Sequence, residues 1–185
     1  LIGFVFAESK RRIEVKKAAE IGKVVKGVLK VGVFVNQPLK EVQEIAEICN
    51  LDFVQLHGEE TPAYCHLVGR PVIKAFRVGL DFTLEKSKEY QVDWLLLDSF
   101  TPGQYGGTGM TFDWQSMQEI AHQIHRPVMI AGGLTPENVG AAIAVLSPGG
   151  IDVSGGVETD GKKDIEKIQK FMIAARRAEN GGILC

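Results

Sequence analysis

Seven short apolar runs, rich in β-branched and aromatic residues, recur along this chain of 185 residues. They are IGFVF (2–6), VGVFV (31–35), FVQLH (53–57), VIKAFRV (72–78), WLLLD (94–98), VMIAG (128–132) and IDVSG (151–155). Their starts lie 19 to 34 residues apart. Runs this continuous suit strands covered on both faces, which is the condition of a parallel sheet. Segments with helical spacing lie between most of them. PLKEVQEIAEICN (38–50) starts on Pro38 and sets Leu39, Val42, Ile45, Ala46 and Cys49 on one face. TPENVGAAIAVL (135–146) predicts a helix with Thr135 as N-cap and Pro136 at its first position. KKDIEKIQKFMIAARRA (162–178) groups Ile165, Ile168, Phe171, Met172 and Ala175. Residues 83–89 carry the weakest helical pattern.

A βα unit repeated seven times, with no linker or low-complexity segment, implies a parallel sheet with right-handed crossovers. An open doubly wound sheet and a closed (β/α)8 barrel both satisfy it. The first βα turn has no G-x-G-x-x-G, which removes support for a dinucleotide fold. Late glycine-rich turns favour the barrel, with seven of its eight units present. The expectation is an α/β chain of the TIM (β/α)8 class, a single domain over 1–185 that is incomplete at its N-terminus.

Composition narrows the surroundings. With 45% hydrophobic and 24% charged residues the chain reads as globular. A net charge of -2 gives no reason to expect nucleic acid or an anionic membrane as partner. No apolar run reaches the ~18–20 residues of a membrane span, and no signal-peptide pattern is present. Cys49, Cys65 and Cys185 are odd in number and lack metal spacing, which points to a reducing cytoplasm and to no metal.

In a βα barrel the chemistry forms at the C-terminal ends of the strands. AGGLTPENV and DVSGGVE follow the last two runs. Small residues there let backbone N–H groups approach an anion, and barrels often bind phosphate in these two loops. Tight turns are the plainer explanation. Asp98 ends the fifth run and is followed by SFTPGQYGGTGMTFDW. A carboxyl at a strand end can be desolvated enough to act as a general acid, or it can cap the loop through backbone N–H groups. Gly103, Gly106, Gly107 and Gly109 suit a lid over a substrate. Arg11 and Arg12 follow the first run, as anion grips or as a solvated basic loop. His57 is a base or, more plainly, a hydrogen-bonded structural histidine. His122 and His125 read as surface residues of an outer helix. Lys74 lies within a strand, either as an ion-paired interior residue or as a Schiff-base lysine.

Taken together, GFVFAESKR, VGVFVN, VQLHGEE, IKAF, LLLDSFTPGQYGGTGMTFDW, AGGLTPENV and IDVSGGVE resemble the phosphoribosylanthranilate isomerases. The stretches occur in that family's order and cover nearly the whole chain. The resemblance implies a cofactor-free Amadori rearrangement of a small phosphosugar in tryptophan biosynthesis. It makes Asp98 the general acid and sets Arg11 on the anthranilate carboxylate. Phosphate falls to the backbone amides of Gly132, Gly133, Ser154 and Gly155. His57 and Asp152 match polar residues near the substrate. The second loop usually carries two serines, where this chain has Ser154-Gly155.

The family's general base is a Cys ending its first strand, in a motif like I-C-G-I-T. No such motif occurs here. By alignment the chain opens at the second strand, so roughly one βα unit, ~25 residues, is absent. Cys49 and Cys65 fall on the wrong side of the architecture to replace it. The tail ENGGILC either frays or enters the gap and carries Cys185 to the strand's end. Open strand edges would leave the chain poorly stable or prone to associate, so an oligomer is allowed. A Schiff-base aldolase using Lys74 and a phosphosugar-binding fragment without turnover are the rival functions. Borohydride trapping on Lys74 would mark the first, and binding without turnover the second.

Overall fold

The computed structural model describes residues 1–99, 118–121 and 123–179. The glycine-rich segment after Ser99, His122 and Cys185 lie outside the described residues. The chain divides into two compact units, Leu1–Phe76 with Glu85–Leu95 and Arg77–Leu84 with Leu96–Cys185.

The first unit begins with strand β1 (Ile2–Val5), helix α1 (Val15–Val24) and strand β2 (Lys30–Phe34). Helix α2 (Leu39–Ile48), β3 (Phe53–Leu56), α3 (Pro62–Leu67) and β4 (Val72–Val78) follow. Helix α4 (Leu84–Glu89) occupies the segment with the weakest helical pattern. Strands β1 to β4 pair in chain order, each pair parallel, with Ile2 opposite Lys30, Val31 opposite Phe53 and Val54 opposite Val72. Their C-terminal ends therefore share one edge. Burial follows the sequence pattern: Phe34, Val54, Leu56 and Ile73 are all but inaccessible, and Phe6 stacks on Phe34 with ring centroids 5.2 Å apart. On α2 the face of Val42, Ile45, Ala46 and Cys49 is buried as its spacing requires. Pro38 is the N-cap of α2, one residue ahead of the first helical position.

Strand β5 (Trp94–Ser99) passes from the first unit into the second, which continues with β6 (Val128–Ala131), helix α5 (Val139–Leu146) and β7 (Gly150–Ile151). A 3-10 turn (Gly155–Val157), a hairpin of β8 (Glu158–Thr159) and β9 (Lys162–Lys163), and helix α6 (Ile165–Glu179) complete it. Strands β6 and β7 are parallel, Met129 opposite Gly150. Leu134, Val139, Ala142, Val157, Phe171 and Ala175 form one core cluster.

Three sequence expectations shift here. The seventh strand ends at Ile151 rather than 155, because Ser154 turns away from extended backbone and the chain enters the 3-10 turn. Thr135 does not cap α5, which starts after Asn138. The Asn138 side chain accepts from the Thr135 N–H and donates to the Gly133 carbonyl, while the Thr135 hydroxyl accepts from the Glu137 N–H. Those bonds close a separate turn ahead of the helix. On α6 only Phe171 and Ala175 are buried, whereas Ile165 and Met172 are exposed. The short partner helix α5 covers a narrower stripe than the spacing implied.

Candidate functional site

In the first unit the loop after β1 folds back tightly. The Ser9 hydroxyl accepts from the Arg11 N–H at 3.0 Å, and the Ser9 carbonyl accepts from the Arg12 N–H. Arg12 then returns to bridge Val5. Arg11 is partly buried and Arg12 exposed, at the end of β1. His57 follows β3 on the same edge of the sheet, its N–H bonded to the Phe34 carbonyl. Its ring lies 3.2 Å from the Gln55 side-chain nitrogen. His125 is exposed in the connection before β6 and not on a helix.

Lys74 is an interior, ion-paired residue. Its ammonium donates to the Glu60 carboxylate at 2.9 Å and to the carbonyls of Gly58 at 2.7 Å and Leu56 at 3.3 Å. All three N–H groups of the ammonium are thus engaged. A nucleophilic lysine must be neutral and open to substrate. Lys74 is buried with its donors spent on three acceptors, so the Schiff-base reading loses its residue. Cation–π contacts to Phe76 and Tyr90, at 5.6 and 5.9 Å, complete its surroundings.

Glu60 was not singled out by sequence reasoning, yet it organises this end of the unit. One carboxylate oxygen accepts from the Asn36 N–H at 2.8 Å, and the other from the Gly58 N–H at 3.0 Å and from Lys74. Asn36, itself at a positive φ of 53°, accepts from the Glu59 N–H through its side chain. One buried carboxylate ties the segments after β2 and β3 to the Lys74 side chain of β4. Burial pushes the Glu60 carboxyl up, but the Lys74 ammonium and the Asn36 N–H outweigh it and hold it below its ordinary value. The second acid of HGEE, taken with the in-strand lysine of IKAF, was the available signal.

The two free thiols of this unit are poor bases. Cys49 and Cys65 are buried, and burial raises both, Cys65 to about 11.

In the second unit Asp98 stands partly buried near the end of β5. Asp152 is exposed after β7, its N–H bonded to the Ile130 carbonyl. Gly132 and Gly133 follow β6, both at positive φ, 87° and 60°. Their loop meets the Ser154–Gly156 loop directly: a Cβ on Gly156 would collide with the Leu134 carbonyl oxygen. Glycine is needed there for close approach of two backbones. The structure therefore brings Gly132, Gly133, Ser154 and Gly155 into one pair of touching loops. Gly133 and Gly155 are exposed, and their N–H groups meet no acceptor among the described residues. Such donors can receive an anion.

Sequence reasoning missed the hairpin 158–163. Asp160 and Gly161 both adopt positive φ, 51° and 74°, as a two-residue I′ turn requires. The Asp-Gly pair was the signal. The hairpin sets Lys163 opposite Glu158 in register. Among the described residues no group of three or more His, Cys, Asp or Glu side chains is placed to hold a metal ion.

The sequence profile of N-(5'-phosphoribosyl)anthranilate (PRA) isomerase matches residues 2–174. An isomerase of that name from Moorella thermoacetica is 48% identical over 180 residues, 96% of this chain and 80% of the relative. The counterpart from Syntrophomonas wolfei is 50% identical over 173 residues, 92% of this chain and 84% of the relative. The chain belongs to this family. Among solved structures, the Thermotoga maritima isomerase superposes with a TM-score of 0.83 at 38% identity, covering 94% of this chain and 86% of that one. A family structure in complex with reduced 1-(o-carboxyphenylamino)-1-deoxyribulose 5-phosphate superposes at a TM-score of 0.78 with 35% identity, over 94% of this chain and 86% of that one. The fold is accordingly that of the phosphoribosylanthranilate isomerases, a (β/α)8 barrel of which this chain carries seven βα units. It is an isomerase family of tryptophan biosynthesis.

Proposed function

We propose that this chain isomerises N-(5-phosphoribosyl)anthranilate to 1-(2-carboxyphenylamino)-1-deoxyribulose 5-phosphate, with each strand end in a defined role. Asp98, as general acid, gives a proton to the ribose ring oxygen. The C1–O bond breaks, and the nitrogen lone pair closes a C1=N bond. A general base then takes the C2 proton, and the C2–H electrons form the enamine that tautomerises to the ketone. Arg11 grips the anthranilate carboxylate as a two-pronged donor. His57 and Asp152 contact the polar centre of the substrate. The backbone N–H groups of Gly132, Gly133, Ser154 and Gly155 hold the phosphate.

The touching Gly132–Leu134 and Ser154–Gly156 loops carry this reading, since their closeness depends on Gly156 and their exposed donors suit one small anion. The base is not assigned to Cys49 or Cys65, whose thiols are buried. We place the enzyme in the cytoplasm, acting on a small phosphosugar without cofactor, nucleic acid or membrane. The net charge of -2 supports this, and no described helix is long and apolar enough to cross a membrane.

The test is turnover of phosphoribosylanthranilate, followed by loss of its fluorescence. It is run on residues 1–185 and on a form carrying a family-type first strand and helix ahead of residue 1. Activity is expected in the extended form, and Asp98→Asn should lower its kcat about 10²–10⁴-fold. Unchanged turnover in that variant would remove Asp98 from the acid role. No turnover by either folded form would overturn the assignment.

A further inference from the structure

We infer that Lys163 is the positioning residue of the phosphate loop, holding the Ser154–Gly155 peptide in the orientation that presents the Gly155 N–H to the phosphate. The inference rests on the proposed phosphate site and adds a residue from outside its two loops.

The Lys163 ammonium donates to the Ser154 carbonyl at 2.8 Å, to the Ser154 hydroxyl at 3.1 Å and to the Glu158 carboxylate at 2.9 Å. Its three N–H groups are all spent on this one corner. The peptide bond between Ser154 and Gly155 is trans, as are all among the described residues. In a trans peptide the carbonyl and the following N–H point to opposite sides. A cation fastened to the Ser154 oxygen therefore fixes the Gly155 N–H on the far face, away from Lys163. That N–H has no acceptor among the described residues.

The remaining contacts explain why the lysine stays in place. The I′ turn at Asp160-Gly161 fixes the hairpin register that sets Lys163 opposite Glu158. The base of the hairpin is fastened by the Asp164 N–H on the Val157 carbonyl and by the Thr159 hydroxyl on the Asp164 carboxylate. Lys167 donates to the Glu158 carbonyl. Glu158 is well covered, and its carboxylate anchors one side of the ammonium while Ser154 takes the other. A serine followed by glycine has a softer backbone than a pair of serines. An external clamp matters more in such a loop.

The positioning role predicts a loss confined to the phosphate. Two ligands test it by calorimetry: reduced 1-(2-carboxyphenylamino)-1-deoxyribulose 5-phosphate and the same compound after phosphatase treatment. Lys163→Met should weaken the phosphorylated ligand about tenfold. The dephosphorylated ligand should change less than about twofold, and Lys163→Arg should restore much of the loss. Equal binding of the phosphorylated ligand by wild type and Lys163→Met would overturn the inference alone. So would an equal loss for both ligands, which would mark a merely structural lysine. Failure of the wild-type chain to prefer the phosphorylated ligand would instead overturn the phosphate site, and the inference with it.

Discussion

Two lysine–glutamate pairs, one in each unit, share an N···O separation of 2.9 Å and differ in almost everything else. Lys74 and Glu60 are each 2% exposed, whereas Lys163 is 48% and Glu158 8% exposed. Distance alone would rate them alike. In the first pair neither charge can fall back on water, so each depends on the other and on the backbone groups around Glu60. In the second the lysine is half in solvent, although the Glu158 carboxylate it would leave behind is well covered. The first pair is a condition of the folded unit. The second is a clamp whose lysine is open to solvent, and its loss is expected to cost less.

The sharpest way to break this contrast is Lys74→Met. Removing one partner of a buried pair should cost about 3–5 kcal/mol, read from the urea midpoint at neutral pH. The double variant Glu60→Gln/Lys74→Met should regain part of that loss, because no bare charge remains. A cost under about 1 kcal/mol would mean that the pair behaves as if exposed.

Acid should sharpen it next. The Glu60 carboxyl is held below its ordinary value of 4.5 in the folded chain. A depressed carboxyl contributes stability above its unfolded value and loses it as the pH falls through the folded one. Wild-type stability should therefore decline below about pH 4.5. The deficit of Lys74→Met should narrow over the same window, since a protonated Glu60 needs no counterion. Parallel curves for the two proteins would contradict the coupling.

Gly156→Ala tests the second unit where it is rigid. The added Cβ meets a backbone carbonyl, and Leu134 belongs to the core cluster, so neither side yields cheaply. Overpacking of this kind costs about 1–3 kcal/mol. Thermal melting should show that loss, and phosphorylated-ligand affinity should fall with it. A variant as stable as wild type would separate the two loops.

How far the sequence reveals all this depends on what kind of contact is involved. The strands of the first unit are legible because burial on both faces leaves continuous apolar runs such as VIKAF. Lys74 is legible as an interior residue for the same reason, a lysine inside an apolar run. Glu60 is harder to read, because two of its three partners are the backbone N–H groups of Asn36 and Gly58, which every sequence possesses, and only Lys74 leaves a trace in the sequence. The end of the last strand was misread because IDVSG keeps a strand-like composition while Ser154 already turns. Thr135 was misread because its hydroxyl and the Asn138 side chain bond within 133–138 and close a separate turn ahead of the helix. The two glycine-rich loops were legible as glycine clusters, but the contact between them was not. A collision between Gly156 and Leu134 is a fact of packing between distant segments.

The smallest expected effect completes the contrast. Lys163→Met breaks three hydrogen bonds on paper, as many as Lys74 makes. Its side chain is half-exposed, so water replaces most of what is lost at Ser154. With one partner half in solvent the pair should lie near the exposed limit of about 0–1 kcal/mol, and the melting temperature should move by no more than a few degrees. Raising the salt concentration should shrink even that difference, since screening acts on charges that solvent can reach. The same treatment should leave the Lys74→Met deficit nearly intact. A salt-independent loss at Lys163 as large as the one at Lys74 would erase the distinction between clamp and keystone, and would make the hairpin part of the core.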